Sequence, residues 1–585
     1  MNLDEDILLK VNKPARYIGK EWNTPKKDFD SSYIKFALCF PDLYEVGMSN
    51  LGFRIIYSIL NNLPDVSCER FFSPHIDMEK ILRRNSREIF SLETQRRLRD
   101  FDIIGFCLGY ELNYTNVLNI LDLGKIPLES CERDYNYPLV VGGGSCVLNP
   151  EPMHEFFDLF VIGEAEEAIL EIVDIYRKYK HRLTNRKIDK QDLLIMLSKI
   201  EGVYVPCLYE VSYTSEGNIA SFRPKDPDVP CKVKKRFIRD LDQVYYPLDW
   251  LVPYTQIIHD RINVEIMRGC PNVCSFCQAR FQYFPFRIRD TNSILSIAQE
   301  IYNRTGYEEI SLGGLSVCDY PNILDLVKLL VSNFKEKGVS ISLPSIRPRD
   351  AVGKISDVIA TFKKTGLTFA PESASEELRR KINKHFDVQK FFATIEKAYQ
   401  LGYQHIKLYF MIGLPGERQA DLDNIIDFSY TTSELRRKVN KKPAQVNISI
   451  NTFIPKPHTP LQWLRMEDID IIKSKQHYLK MRAGALKNLR LSFHNPYMSF
   501  LEGVLSRGDR RLGKVILHVF QRGARFDAWD NCFVFDIWED GFRELNVRPE
   551  IYLKEKSPDK ILPWDFLEIG TDRERLVLEY NKLLI

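Results

Sequence analysis

The sequence predicts an α/β protein with a doubly wound parallel sheet at its front, a second body of repeated βα units, and a mostly helical C-terminal region. Three observations carry this prediction. Short β-rich runs recur with amphipathic stretches between them, as repeated βα units require. Glycine and polar words close many of these runs, at the strand ends where ligands of such sheets lie. The 585 residues, 44% hydrophobic and 12% aromatic, exceed one domain and suffice for several cores.

After an extension over residues 1–30, strand-like runs at 34–40, 66–71, 102–108, 139–142 and 159–162 alternate with helical stretches at 51–61, 78–98, 114–123 and 166–179. This rhythm places a doubly wound parallel sheet over residues 31–180. Its strand ends carry the words at 41–50, 109–114, 142–145 and 163–166, and the glycines at 142–144 allow backbone to lie against a large flat or phosphate-bearing ligand. Residues 181–250 read as a connector, with a charged helix at 189–199, a strand pair around 203–211, and Pro224, Pro227, Pro230 and Pro247 breaking longer elements.

The second body, over 251–465, has strand candidates at 264–267, 309–312, 339–343, 367–370, 405–412 and 446–453. Asn292-Ser293 signals a helix at 294–302, and Ser373-Ala374-Ser375-Glu376 is a capping-box pattern before 377–383. Strand carboxyl ends face the mouth where the chemistry of βα barrels sits, and they carry Gly313, Arg347, Glu372 and Pro415. From 466 to 585 the pattern turns mostly helical, at least through Ala528. Arg-rich words at 506–513 and 521–529 fit either a substrate entrance or a solvated helix face.

Cys270, Cys274 and Cys277 form a Cys-x3-Cys-x2-Cys triplet directly after the first strand candidate of that body. Soft thiolates select iron-sulfur clusters or zinc, and a structural zinc site wants four closed ligands. No second Cys-x2-Cys or His pair completes such a site. Three thiolates on one loop can hold three irons of a cubane cluster and leave the fourth open to a reactant. A zinc loop and three unrelated buried thiols are the alternatives.

The triplet, with Phe276 in the aromatic place, resembles the signature of the radical SAM superfamily, a Cys-x3-Cys-x-aromatic-Cys loop after the first strand of a partial (β/α)6 barrel. The resemblance continues for about two hundred residues, through the Gly313-Gly314 turn, Glu372-Ser373, the Gly413-Leu414-Pro415 turn and the exit loop at 454–463. It implies a 4Fe-4S cluster on Cys270, Cys274 and Cys277, with S-adenosylmethionine on the open iron. Phe276 is then expected beside adenine, Gly313 and Gly314 beside the methionine end, and Glu372 and Ser373 at the ribose or amino group. Arg347 and Lys407 are candidates for countercharge, and a small flavodoxin- or ferredoxin-like protein is the implied electron donor.

The front sheet resembles the cobalamin-binding domain that precedes the barrel in one branch of that superfamily, and the whole chain resembles an uncharacterised two-part family within it. Cobalamin is therefore a candidate third cofactor. The Asp-x-His-x-x-Gly word that supplies a lower cobalt ligand elsewhere is missing, and His75 and His154 read as surface or cap histidines. Cys39, Cys68 and Cys107 raise a second cluster as an alternative to buried thiols.

The implied reaction is reductive cleavage of S-adenosylmethionine to a 5′-deoxyadenosyl radical, followed by methyl transfer to an unactivated carbon or another radical modification of an unknown substrate. An RNA-modifying, methylthiotransferase-like enzyme and a non-enzymatic cluster- or cobalamin-binding regulator are the alternatives. A net charge of +3 neither demands nor excludes nucleic acid. The absence of an apolar run of about 18 residues and of a leader pattern predicts a cytoplasmic protein without a membrane partner.

Overall fold

Residues Ile34–Phe40, polar only at Lys35, form the strand β1, buried almost throughout because helices cover both faces of a parallel sheet. A computed structural model describes residues 5–185, 189–342 and 366–584 of the chain. By their contacts the residues group into two units. One comprises Met1–Asp260, Val504–Tyr552 and Ser557–Thr571, the other Arg261–Gly503, Leu553–Lys556 and Asp572–Ile585, so the chain after residue 466 contributes to both.

In the first unit β1 is followed by β2 (Val66–Phe72), β3 (Ile103–Cys107), β4 (Leu139–Gly143), β5 (Leu159–Val161) and β6 (Val203–Tyr204) in one sheet of order β2-β1-β3-β4-β5-β6. The first five are parallel, and β6 adds an antiparallel edge. The doubly wound sheet expected from the sequence is present, and the reversal of strand order falls between β1 and β3. The expected pair at 203–211 is divided: β6 joins this sheet, whereas β7 (Tyr209–Tyr213) and β8 (Ile219–Pro224) form a separate hairpin. A short strand β9 (Val233–Lys234) comes next.

The helix expected over 78–98 is shorter, Ile76–Arg84. The chain breaks at Ser86, with φ 51°, and then serves the open edge of β2: Leu92 N–H donates to Arg70 O at 3.0 Å and Arg70 N–H to Glu93 Oε2 at 2.8 Å. An edge strand's unpaired backbone groups outweigh helix propensity here. Helix Tyr114–Leu123 is buried at nearly every position although it carries Thr115, Asn116 and Asn119. Helix Leu512–Gln521 covers it, and its polar side chains are satisfied: Thr115 Oγ1 donates to Asp527 Oδ2 at 2.7 Å and Asn116 Oδ1 accepts from Phe526 N–H at 2.9 Å.

The second unit begins with β10 (Ile262–Glu265), followed by β11 (Met267–Arg268) and β12 (Arg287–Ile288), which pair antiparallel. A βα repeat then gives β13 (Glu309–Gly313), β14 (Ser340–Ser342), β15 (Leu367–Glu372), β16 (His405–Ile412), β17 (Gln445–Thr452) and β18 (Leu489–Phe493). Among the described residues these form two all-parallel sheets, β10-β13-β14 and β15-β16-β17-β18. The strand β18 lies in sequence expected to be helical. Leu489, Leu491 and Phe493 alternate with Arg490 and Ser492, a period of two that suits a strand on the edge of β17. A last short strand, β19 (Leu567–Glu568), pairs with β9.

Local caps also differ from expectation. Helix Thr291–Thr305 starts at Asp290, whose side chain accepts from Asn292 N–H, not at Asn292-Ser293. Helix Glu376–Lys381 is capped by Ser375 accepting from Leu378 N–H, without the reciprocal carboxylate bond of a capping box. Among the described residues no helix is long and apolar enough to cross a membrane.

Candidate functional site

The cysteine loop leaves β11 through Gly269, with φ +83°. A Cβ there would lie 2.6 Å from Tyr283 O and 2.8 Å from Pro285 O, so only glycine lets the chain pass. Cys274 is buried, Cys270 and Cys277 are half-buried, and Cys277 caps the short helix Gln278–Gln282.

Three anchors hold this loop. Asn272 donates to Cys270 Sγ at 3.3 Å and to Asp319 Oδ2 at 2.5 Å, and Ser316 Oγ donates to the same Asp319 oxygen at 2.7 Å, which ties the thiol to the chain beyond β13. Fully buried Ser275 donates its N–H to Ile382 O at 3.0 Å and accepts from Asn383 Nδ2 at 2.7 Å, so the end of helix Glu376–Lys381 clamps the loop. Gln278 Nε2 donates to Pro457 O at 3.3 Å in the segment after β17.

Burial pushes the Cys277 thiol up, and nearby Cys274 and Cys270 push the same way, while the Arg280 backbone N–H and Lys384 oppose them. The other two thiols thus lie near enough to act on Cys277. Among the described residues, however, no three His, Cys, Asp or Glu side chains converge on a single ion. The donor set, an amide on sulfur and a nearby ammonium, suits an assembly of anionic sulfurs.

Lys384, which sequence reasoning missed, connects three of the expected positions. Its Nζ lies 3.8 Å from Glu372 Oε1 and 6.0 Å from the centre of the Phe276 ring, and its charge reaches Cys277. Glu372 ends β15 with φ +67° beside a register shift against β16. Its side chain is 16% exposed. Ser373 is differently placed: it is buried, its Oγ accepts from Ser375 N–H at 3.2 Å, and its carbonyl accepts from Arg379. It serves the local turn.

Gly313 and Gly314 stand at the end of β13, but added Cβ atoms would meet Asn263 Oδ1 at 2.6 Å and Met267 Cγ at 2.5 Å. These glycines therefore make room first for the chain's own side chains. Arg347 lies outside the described residues. Lys407 sits with its Nζ 4.6 Å from the centre of the Tyr409 ring.

The strands of this unit have two chemically distinct faces. Phe369 meets Phe391 and Phe410 meets Phe428, with ring centres at 5.3 and 6.0 Å, so the apolar residues of β15 and β16 face the helices. The alternate residues point the other way and, apart from Ala370 and Met411, are polar: Thr368 is in register with Lys407 and Lys407 with Asn447, while Tyr409 pairs with Ser449. A sheet face of this composition is made to meet a ligand or water, not a greasy core.

In the first unit the carboxyl ends of β1 and β3 are bridged, with Trp529 Nε1 donating to Asp42 Oδ1 at 2.9 Å and Asn113 Nδ2 to Asp42 Oδ2 at 3.3 Å. Beyond β3 and β4 the glycines expected to lie against a ligand divide: a Cβ on Gly142 would meet the Phe160 ring at 2.7 Å and one on Gly144 would meet Leu108 O at 2.5 Å, so these two serve the chain's own packing, and Gly109 and Gly143 are the open ones. A Cβ on Gly109 would meet nothing within 4 Å, and one on Gly143 nothing closer than 3.9 Å. This shelf of bare backbone suits the approach of a large flat group. Cys39 and Cys68 are fully buried and burial pushes both thiols up, with Cys107 pushed up to about 12, so these three behave as neutral apolar groups. His154 caps a short turn, its Nδ1 at 3.0 Å from Glu151 O, and burial drives it down to about 3. His75 holds the N-cap of Ile76–Arg84, with Nδ1 at 3.0 Å from Asp77.

Comparison with known proteins gives two family matches, "Radical SAM proteins, N-terminal" over residues 52–206 and "Radical SAM superfamily" over 264–429. An uncharacterized protein of Methanocaldococcus jannaschii is 29% identical over 484 residues, 82% of this chain and 90% of its own. A tRNA-2-methylthio-N(6)-dimethylallyladenosine synthase of Clostridium botulinum is 26% identical over 172 residues, 28% of this chain and 38% of its own. Among solved structures, the radical S-adenosylmethionine methyltransferase TsrM of Kitasatospora setae, with cobalamin and a [4Fe-4S] cluster bound, has 12% identity and a TM-score of 0.46 over 71% of this chain and 74% of its own. The cobalamin-dependent radical enzyme OxsB, with aqua-cobalamin bound, has 12% identity and a TM-score of 0.46 over 94% of this chain and 79% of its own.

Proposed function

Because this chain belongs to the radical SAM superfamily, we propose that it is an enzyme that reductively splits S-adenosylmethionine at a 4Fe-4S cluster on Cys270, Cys274 and Cys277 and, with a corrinoid on its front sheet, methylates an unactivated carbon. The observation that carries the reading is the cysteine loop itself: three thiols in the Cys-x3-Cys-x2-Cys spacing on a loop anchored by Asn272, Ser275 and Gln278. When bound, the cluster supplies the single electron that breaks the sulfonium carbon–sulfur bond, delivered to it by a small flavodoxin- or ferredoxin-like protein.

The chain's own residues do the rest. Asn272 donates a hydrogen bond to the Cys270 sulfur and so fixes its place on the loop. Lys384 lies among Glu372, Phe276 and Cys277, where its ammonium would meet the anionic sulfurs of a bound cluster and the carboxylate of S-adenosylmethionine. Glu372, at the tip of β15, offers a carboxylate to an ammonium or to ribose hydroxyls, and Phe276 offers a ring edge to adenine. The polar row of Thr368, Lys407 and Asn447 gives substrate polar groups partners that water would otherwise supply. On the front sheet, bare backbone at Gly109 and Gly143 would seat a corrinoid, which supplies the methyl group when bound.

The test is anaerobic. Iron-loaded protein with a low-potential reductant and S-adenosylmethionine should release 5′-deoxyadenosine and methionine in equal amounts, and Cys274→Ala should abolish this together with the 4Fe-4S spectrum. Zinc at the triplet, or an unchanged spectrum in Cys274→Ala, would overturn the proposal. Gly109→Leu, which enters open space, should lower cobalt content after incubation with hydroxocobalamin while leaving iron unchanged. Equal cobalt in both proteins removes the corrinoid from this shelf.

A further inference from the structure

A cavity of about 390 Å³ lies in the first unit beyond the carboxyl ends of β1 and β2, and neither Gly109 nor Gly143 of the β3–β4 shelf lines it. Its size is in the range of small-molecule sites, and its position is where ligands of parallel α/β sheets bind. Leu43 and Val46 after β1, Ile257, and Phe526 and Trp529 of the C-terminal segment give it apolar and aromatic walls.

The charged lining is unequal. Glu45 is the only carboxylate among the lining residues, and Arg16 already grips both of its oxygens, with Nε at 3.0 and 2.9 Å and Nη2 at 2.9 Å. Lys13 adds a second cation on the same carboxylate at 3.0 Å, with its side chain 58% exposed against 9% for Arg16. Two cations on one carboxylate leave an excess of one positive charge at the open side. His75, held through Nδ1 by Asp77, adds a second polar group.

The frame is fixed before any ligand arrives. Trp529 is pinned to Asp42 and Arg16 to Glu45, so the aromatic wall and the inner guanidinium have little freedom left to lose. Two lining residues, Lys13 and Phe526, hold left-handed backbone at φ 55° and 51°. Such strain at residues other than glycine gathers where a chain has to present a side chain to a ligand.

We infer that this cavity is a binding site for a small aromatic carboxylate, its flat body between the Phe526 and Trp529 walls and its single negative charge at Lys13. One excess cation matches a monoanion. A phosphate monoester, doubly charged and strongly hydrated, would leave one charge unmatched by the single excess cation, even with the Gln256 and Asn531 amides in the lining. The site goes beyond the proposed reaction and uses neither the cluster nor the β3–β4 shelf.

The test uses the full chain and 2-naphthoate, followed by calorimetry and by quenching of tryptophan fluorescence, with neutral 2-naphthamide as the comparison. Saturable one-to-one binding of naphthoate is expected. Lys13→Gln should weaken it about fivefold, the worth of an exposed ion pair, while leaving 2-naphthamide unchanged. Val46→Phe, which fills the cavity, should weaken both probes, and melting curves check that each variant is folded. No saturable binding to the wild-type chain, or equal naphthoate affinity in all three folded proteins, overturns the inference. Iron and cobalt contents are read separately, so failure here leaves the proposed reaction standing and failure of that reaction leaves this site testable.

Discussion

A methyl group on Gly314 would sit 2.5 Å from Met267 Cγ, inside a contact that nothing but a shift of the buried Met267 side chain can relieve. Gly314→Ala should therefore destabilise the fold by about 1–3 kcal/mol, as overpacking does. Adding Met267→Ala should return part of that loss in a thermal or denaturant melt. A glycine needed for cofactor approach alone would show no such rescue. Glu69 gives a second prediction at this scale. Burial and the neighbouring Glu93 raise its carboxyl to about 7 from 4.5, against hydrogen bonds from Ser91 and Thr94. A raised folded value means the native state holds the proton longer than the unfolded chain. The stability from this group is complete below pH 4.5 and is lost as pH rises towards 7. Glu69→Gln, which stays neutral, should gain on the wild type across that window in melts between pH 4 and 8, and parallel curves would count against the assignment.

The end of helix Glu376–Lys381 is an example of an element whose value lies in what it reaches. Ile382 O and Asn383 Nδ2 grip Ser275 from both sides of its backbone and hydroxyl, more than a hundred residues away in sequence. Asn383→Gly, which keeps the left-handed backbone at φ 52°, removes one grip and leaves the helix, its cap at Ser375 and the buried Leu378 in place. Iron should then be lost to a chelator several times faster under anaerobic conditions with little change in melting temperature. An unchanged release rate would show that the clamp does not hold the cysteine loop. The strand β18 teaches a related lesson: five residues with a period of two were hidden between helical stretches, and pairing with β17 decided their conformation.

At the scale of the molecule, the C-terminal stretch 504–552 completes the first unit and does not merely follow it. Arg510 donates to Glu151 Oε2 at 2.7 Å and to Tyr204 Oη at 2.9 Å, and the Glu151 side chain is only 2% exposed. Burial pushes the Glu151 carboxyl up and Arg510 pulls it down, so the pair survives in the interior only together. Arg510→Met should cost about 3–5 kcal/mol by leaving a buried carboxylate unmatched, and Arg510→Met with Glu151→Gln should recover much of it. A double mutant no more stable than the single one would deny the coupling.

Local chemistry was written in the chain. The Cys-x3-Cys-x2-Cys spacing, the near-continuous apolar run of Ile34–Phe40 and the alternation in His405–Ile412 each announce their element because period and ligand spacing act over a few residues. Association across long stretches of sequence was not written there in any readable form. Lys384 beside Glu372, Phe276 and Cys277, Asn383 on Ser275, and Trp529 on Asp42 join residues that no short-range rule connects. Folding had to bring these side chains together, since a hydrogen bond or ion pair depends on distances of a few ångströms that the order of residues does not encode.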